Sequence, residues 1–164
     1  MNVFQRSLGV IGFAAALVLA AVAPSHAGSG SAVSAVHAAD DAWLKAYSGG
    51  KLDDIAALYD ENAILYPPGL APALGRAAIR TFLEKDMAEF AKTGFVLMLG
   101  DKPDGGVNGD LGWSSGTWTM KDKSGQIMDS GWYFSVSRKV GGKWLYVRDT
   151  WNSDKPATPS AAAN

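Results

Sequence analysis

The 164-residue chain has no cysteine, so no disulfide can brace it and its stability must come from packing. It has two histidines, His26 and His37. No histidine, cysteine or acidic partner stands beside His37 at ligand spacing, so it reads as a surface residue and no metal site is expected. The same scarcity leaves a Ser-His-Asp triad without its base. The stretch "GDKPDGG" lacks the lysine-serine ending and the following helix of a phosphate loop, so no nucleotide cofactor is expected either. Basic residues number 15 against 16 acidic ones and form no patch, which argues against a nucleic-acid partner.

The first 27 residues differ from the rest. One cation, Arg6, precedes an apolar run from Leu8 to Ala23, and Ser25-His26-Ala27 supplies the small-x-small pattern of a signal-peptidase site. Residues 1–27 are therefore expected to be a cleaved secretory signal, leaving a periplasmic or secreted protein. The alternative is an uncleaved anchor, but the run falls short of the roughly 20 apolar residues a bilayer span needs. After cleavage no stable membrane insertion is expected. Removing Arg6 leaves 14 basic against 16 acidic residues, a formal charge of −2. Residues 28–155 form one domain in this reading, opened by a mobile Gly28–Ser34 spacer, and residues 156–164, "PATPSAAAN", form a disordered tail.

Helical periodicity begins at Ala35, with Val36, Ala39, Trp43 and Ala46/Tyr47 on one face and Gly49-Gly50 as the stop. A short second helix is expected to follow, capped by Asp53 and buried through Ile55, Leu58 and Tyr59. Asp40-Asp41 and Asp53-Asp54 read as solvated or capping acids. "NAILYPPG" reads as a strand ended by two prolines. "GRAAIRTFLEKDMAEFAKTG" predicts a third helix with Ile79, Phe82/Leu83, Met87 and Phe90 inward and Gly94 beyond its end. Everything from Phe95 on alternates as strands separated by "GDKPDGGVNGD", "KDKSGQ" and "VGG", all turn compositions. The fold class is therefore α+β, with three helices packed on one face of a curved antiparallel sheet.

A two-residue Gly141-Gly142 turn would pair Val140 with Lys143, Val136 with Val147, Phe134 with Asp149 and Trp132 with Trp151. Asp149 is then the single charge on an apolar face expected to lie under the helices. Desolvation there would raise its pKa, a setting suited to acid-base chemistry. Tyr133, Ser135, Ser137, Tyr146, Arg148 and Thr150 would share the opposite face, open to solvent or to a second subunit.

The segment "KLDDIAALYDENAILYPPG", then "GRAAIRTF" and a meander ending in "DTWN", resembles SnoaL-like and ketosteroid-isomerase-like domains of the nuclear transport factor 2-like superfamily, over about Ala35 to Asp154. The resemblance implies a cone with an internal pocket, and often a homodimer. It does not carry the isomerase machinery across: Trp43, Tyr66 and Trp132 stand where those enzymes have their oxyanion-hole tyrosine, base aspartate and protonated aspartic acid. In SnoaL-type cyclases the acid-base aspartate lies on the last strand, where this chain has Asp149. The resemblance thus makes Asp149 the candidate catalytic group. Tyr59 and Tyr66 would be hydrogen-bond donors, and Trp43, Trp132, Phe134 and Trp151 the walls around a small, largely apolar ligand. Three roles stay open for Asp149: proton transfer, a polar anchor for a ligand, or a structural acid bonded to backbone donors, Arg76 or Arg80. A non-catalytic binding or dimeric association module is the alternative for the whole domain.

Overall fold

The computed structural model describes residues 27–155, so the expected signal sequence up to residue 26 and the tail 156–164 lie outside the described residues. Three helices, α1 (Ala27–Ser48), α2 (Leu52–Ala56) and α3 (Gly75–Thr93), pack on a sheet of seven strands: β1 (Tyr59–Tyr66), β2 (Ala73–Leu74), β3 (Val96–Leu99), β4 (Asp104–Asn108), β5 (Leu111–Lys121), β6 (Ile127–Val140) and β7 (Lys143–Ser153). The strand order is β2-β1-β7-β6-β5-β3, with β4 also pairing β5. All pairings are antiparallel except β1 with β7, so the expected antiparallel sheet is a mixed one. Parallel pairing needs a long crossover, which α3 and the meander supply.

Helix α1 starts eight residues before the expected Ala35, and the spacer Gly28–Ser34 is helical. Once a helix is nucleated each further residue adds a hydrogen bond, so the turns packed further along propagate back through the spacer. Asp53 lies inside α2 rather than at its cap; Lys51 is the cap residue, and Leu58 and Tyr59 fall beyond the helix. Helix α3 buries Ile79, Leu83 and Met87 as its periodicity demands and stops at Gly94, whose φ of 67° suits a residue without Cβ. The glycine-rich "DGGVN" is strand β4 rather than a turn. A Cβ on Gly105 would come within 2.5 Å of the His37 ring and one on Gly106 within 2.5 Å of Trp113 Nε1, so these glycines make room for rings.

The core joins Ala46, Ile55, Ile79, Leu83 and Met87 of the helices to Tyr59, Ala63, Leu65 and Tyr146 of the sheet. Ile55, Tyr59, Ala63 and Ile79, with no exposed surface, mark its centre. At about 25 cal/mol per Å² of apolar surface removed from water, such burial is the main force holding helices to sheet.

The β6–β7 hairpin turns through Gly141 and Gly142, with φ of 56° and 81°, and pairs Val140 with Lys143 as expected. The register runs to Ser137 opposite Tyr146 and then slips, so Val136 faces Arg148 and Ser135 faces Asp149. Val147 is the extra residue of a β-bulge. The slip reverses which way β7 points beyond it, and it changes the partner of every residue from Arg148 to Ser153.

Candidate functional site

The helix-covered face of the hairpin is the polar one. Ser135, Ser137 and Tyr146 are buried there, whereas Trp132 and Phe134 are 55% and 45% exposed on the outer face. The expected grouping of Trp132 and Phe134 with Asp149 is therefore corrected. Ahead of the bulge, Tyr146 points inward with Ser137, and the bulge lets Asp149, three residues on, return to the same side. Asp149 is buried as expected, but among hydroxyls rather than beside Phe134.

A cavity of about 160 Å³ lies between the helices and this face. It is lined by Trp43, Asp40, Asp149 and Trp151, with Leu97, Leu99 and Met120 adding apolar wall. Tyr66 is 41% exposed, and neither it, Trp132 nor Phe134 lines the cavity. In β1 Leu65 is buried and Tyr66 follows it, so strand alternation turns Tyr66 outward. Tyr59 is fully buried behind the lining and reaches Asp149 from the core side.

Asp149 Oδ2 accepts a 2.6 Å hydrogen bond from the Tyr59 hydroxyl, and Oδ1 accepts one of 2.8 Å from Ser135 Oγ. Trp43 Nε1 donates in turn to the Tyr59 oxygen at 2.8 Å, so an indole on α1, a phenol on β1 and a carboxylate on β7 form one chain. Arg76 and Arg80, the cations offered as structural partners of Asp149, are engaged elsewhere. Arg76 Nε donates to the Tyr59 carbonyl, and Arg80 pairs with Asp53 at 2.9 Å. Burial raises the Asp149 pKa to about 6, the hydroxyl donors offsetting only part of the desolvation.

A second carboxylate occupies the same cavity wall. Asp40, read from sequence as a solvated acid, is only 5% exposed. Its Oδ1 accepts from the Tyr146 hydroxyl at 2.6 Å and from Ser114 Oγ at 3.1 Å, and its Oδ2 from the Tyr133 hydroxyl at 3.3 Å. Burial also raises the pKa of Asp40. The sequence did carry a signal for this: Asp40 follows Val36 by four residues and precedes Trp43 by three, which places it on the apolar face of α1. Tyr133 reaches it because Gly116 lies beneath its ring, where a Cβ would come within 2.8 Å of the ring and hydroxyl.

The tyrosines are held as donors. Tyr59 and Tyr146 are fully buried with rings 5.3 Å apart, and burial followed by the nearby carboxylates pushes both hydroxyls well above their ordinary pKa. The same causes raise Tyr133. The arrangement can therefore hold and release a proton on a carboxylate near neutral pH while phenols keep supplying hydrogen bonds. Among the described residues no group of three or more His, Cys, Asp or Glu is gathered so as to hold a metal ion.

A carboxyl with a raised folded-state pKa binds its proton more tightly in the folded protein than in the unfolded one. Its stabilising contribution is full below about pH 4 and is lost as pH rises through about 6. For Asp149 the loss amounts to about 3 kcal/mol. Urea unfolding from pH 4 to pH 7.5 should show stability falling more steeply in the wild type than in Asp149→Asn, Asp40 supplying the residual slope in both. Parallel profiles would place Asp149 in a solvated or charge-paired setting.

The SnoaL-like domain model matches residues 41–147. An NTF2-like protein with a cystatin-like fold from Novosphingobium aromaticivorans is similar in structure, with a TM-score of 0.66 at 19% identity over 76% of this chain and 83% of its own. An NTF2-like protein of unknown function from Pseudomonas putida KT2440 gives 0.67 at 18% identity over 75% and 87%. A ketosteroid isomerase-like protein from Erwinia carotovora atroseptica gives 0.56 at 18% over 76% and 97%. No curated protein matches the chain. These likenesses agree with the cone of helices on a mostly antiparallel sheet, and with a model match across most of the folded region the chain belongs to the SnoaL-like domain family.

Proposed function

We propose that this domain binds a small, largely apolar molecule in its cavity and moves a proton on it through Asp149. The observation that carries this reading is the carboxylate itself: it lines an apolar cavity, is held by Tyr59 and Ser135, and is poised at about 6. A general acid-base group works best with a pKa near the working pH, and proton transfer of this kind contributes about 10²–10⁴-fold in rate. Trp43 and Trp151 would orient the guest, so that enclosure supplies placement and Asp149 the proton. Isomerisation, dehydration and ring closure all share such a step. The amino-terminal apolar run and its small-x-small end support export, which would set this chemistry in the periplasm or outside the cell.

Native mass spectrometry of the protein purified from its own host should show an added small-molecule mass. When the released molecule is incubated with protein in deuterium oxide, wild type should build deuterium into a carbon position. Asp149→Asn should bind it but exchange at least 100-fold more slowly. Exchange that survives the substitution would remove Asp149 from the chemistry, and a chain always free of ligand would count against binding.

A second reading, association into a homodimer, is favoured by the uncovered outer face. Trp132 and Phe134 are exposed there, and Trp113 stacks on Phe134 with centroids 6.0 Å apart. Tyr133 and Tyr146, expected to form this face, point into the cavity wall instead, while Arg148 is exposed. An exposed aromatic patch on a sheet face marks an interaction surface, and arginine stacks well on such rings. Sedimentation equilibrium should give a dimer for wild type and a monomer for a Trp132→Lys, Phe134→Glu variant with an unchanged circular dichroism spectrum. A monomeric wild type would leave the face without this role.

A further inference from the structure

Among the described residues, the cavity wall carries three aspartates, Asp40, Asp86 and Asp149, and no lysine, arginine or histidine. Each is held by neutral donors alone: Tyr146, Ser114 and Tyr133 for Asp40, Tyr47 at 2.6 Å for Asp86, and Tyr59 and Ser135 for Asp149. The ion pairs found among the described residues, Arg80 with Asp53 and Lys92 with Glu89, lie on the surface. His37 bears on Asp40 electrostatically but does not line the cavity. Asp40 and Asp149 are buried and Asp86 half-buried; buried acids in proteins are ordinarily paired or neutralised, so a cavity holding such a set without a counter-ion is complementary to a positive guest.

The rest of the wall suits the same guest. Trp43 stacks on Tyr47 with centroids 4.9 Å apart, and Phe90, Trp118 and Trp151 add further ring surface. Aromatic faces attract organic cations, most strongly where water is excluded. The space of about 160 Å³ sets the size, since a dry cavity of about 150 Å³ holds benzene. The carboxylates are not gathered as a metal site, so the complementary cation is an organic one.

We infer that the cavity takes a small organic cation, a protonated amine on a single aromatic ring. This rests on the cavity being a ligand site, as proposed above. The carboxylates would hold the ammonium group and the rings its apolar body. Each carboxylate keeps lone-pair capacity beyond the hydrogen bonds it already accepts.

Calorimetric titration of the wild-type chain at pH 7.5 with three probes of one shape tests the charge preference: 2-phenylethylammonium, 2-phenylethanol and 3-phenylpropanoate. The ammonium should bind at least tenfold more tightly than the alcohol, and the carboxylate should bind most weakly. Asp40→Asn and Asp149→Asn should each shrink the difference between ammonium and alcohol by several-fold. The alcohol or the carboxylate binding as well as the ammonium would overturn the cation inference and leave the ligand site standing. No binding by any probe at millimolar concentration would overturn both.

Discussion

Asp40 and Asp149 are buried in one cavity wall, and among the described residues no basic side chain is hydrogen-bonded to either. Much of the sheet is arranged to make that tolerable. Left bare, such groups would cost several kcal/mol each. Hydroxyls meet them instead, drawn from β1, β5, β6 and β7: Tyr59, Ser114, Tyr133, Ser135 and Tyr146. This explains why the covered face of the last hairpin is rich in serine and tyrosine while the aromatic residues Trp132 and Phe134 face outward. Gly116 belongs to the same arrangement, because only without a Cβ there can the Tyr133 ring cross to Asp40.

The choice of neutral donors decides the chemistry. A guanidinium beside Asp149 would hold it below the ordinary carboxylate range and fix it as an anion. Phenol and hydroxyl donors offset only part of the desolvation, so the group keeps a pKa of about 6 and can exist in either form near neutrality. The phenols stay protonated because the same burial raises them. The Trp43–Tyr59–Asp149 chain further ties α1 to the two parallel strands, so the position of the carboxylate and the docking of the first helix depend on each other. The proposed proton transfer and the inferred preference for a cationic guest draw on one arrangement: acids desolvated among rings, with no basic side chain among the described residues of the cavity wall.

The order of helices and strands was legible because each long element carries a period that burial enforces. Ile79, Leu83 and Met87 on α3, and Val36 and Tyr47 on α1, are inward as their spacing requires. The glycine turn of the last hairpin was legible for the same reason, since Gly141-Gly142 satisfies a specific backbone demand. The faces of that hairpin were not. Alternation alone sends the aromatic set inward, and it cannot register Val147 as a bulge residue, because no local composition separates a bulged valine from a paired one. Sending the apolar set inward placed Trp132 and Phe134 in the pocket and Tyr133 and Tyr146 outside it, and the unread bulge grouped Asp149 with Phe134. Tyr66 failed for another reason: it aligns with a family base but alternates outward from Leu65. Asp40 was visible on the apolar face of α1, yet a charge there reads as solvated until its donors, which lie 74 to 106 residues away in sequence, are placed beside it.

All of this turns on the protonation of one carboxyl group. Carbon-13 NMR titration of the Asp149 side-chain carboxyl reads it directly. A midpoint near 6, moving higher in Tyr59→Phe as a stabilising donor to the anion is removed, is the expected result. A midpoint at or below the ordinary aspartate value of about 3.9, unchanged by that substitution, would contradict a carboxylate poised by burial and hydroxyl donors.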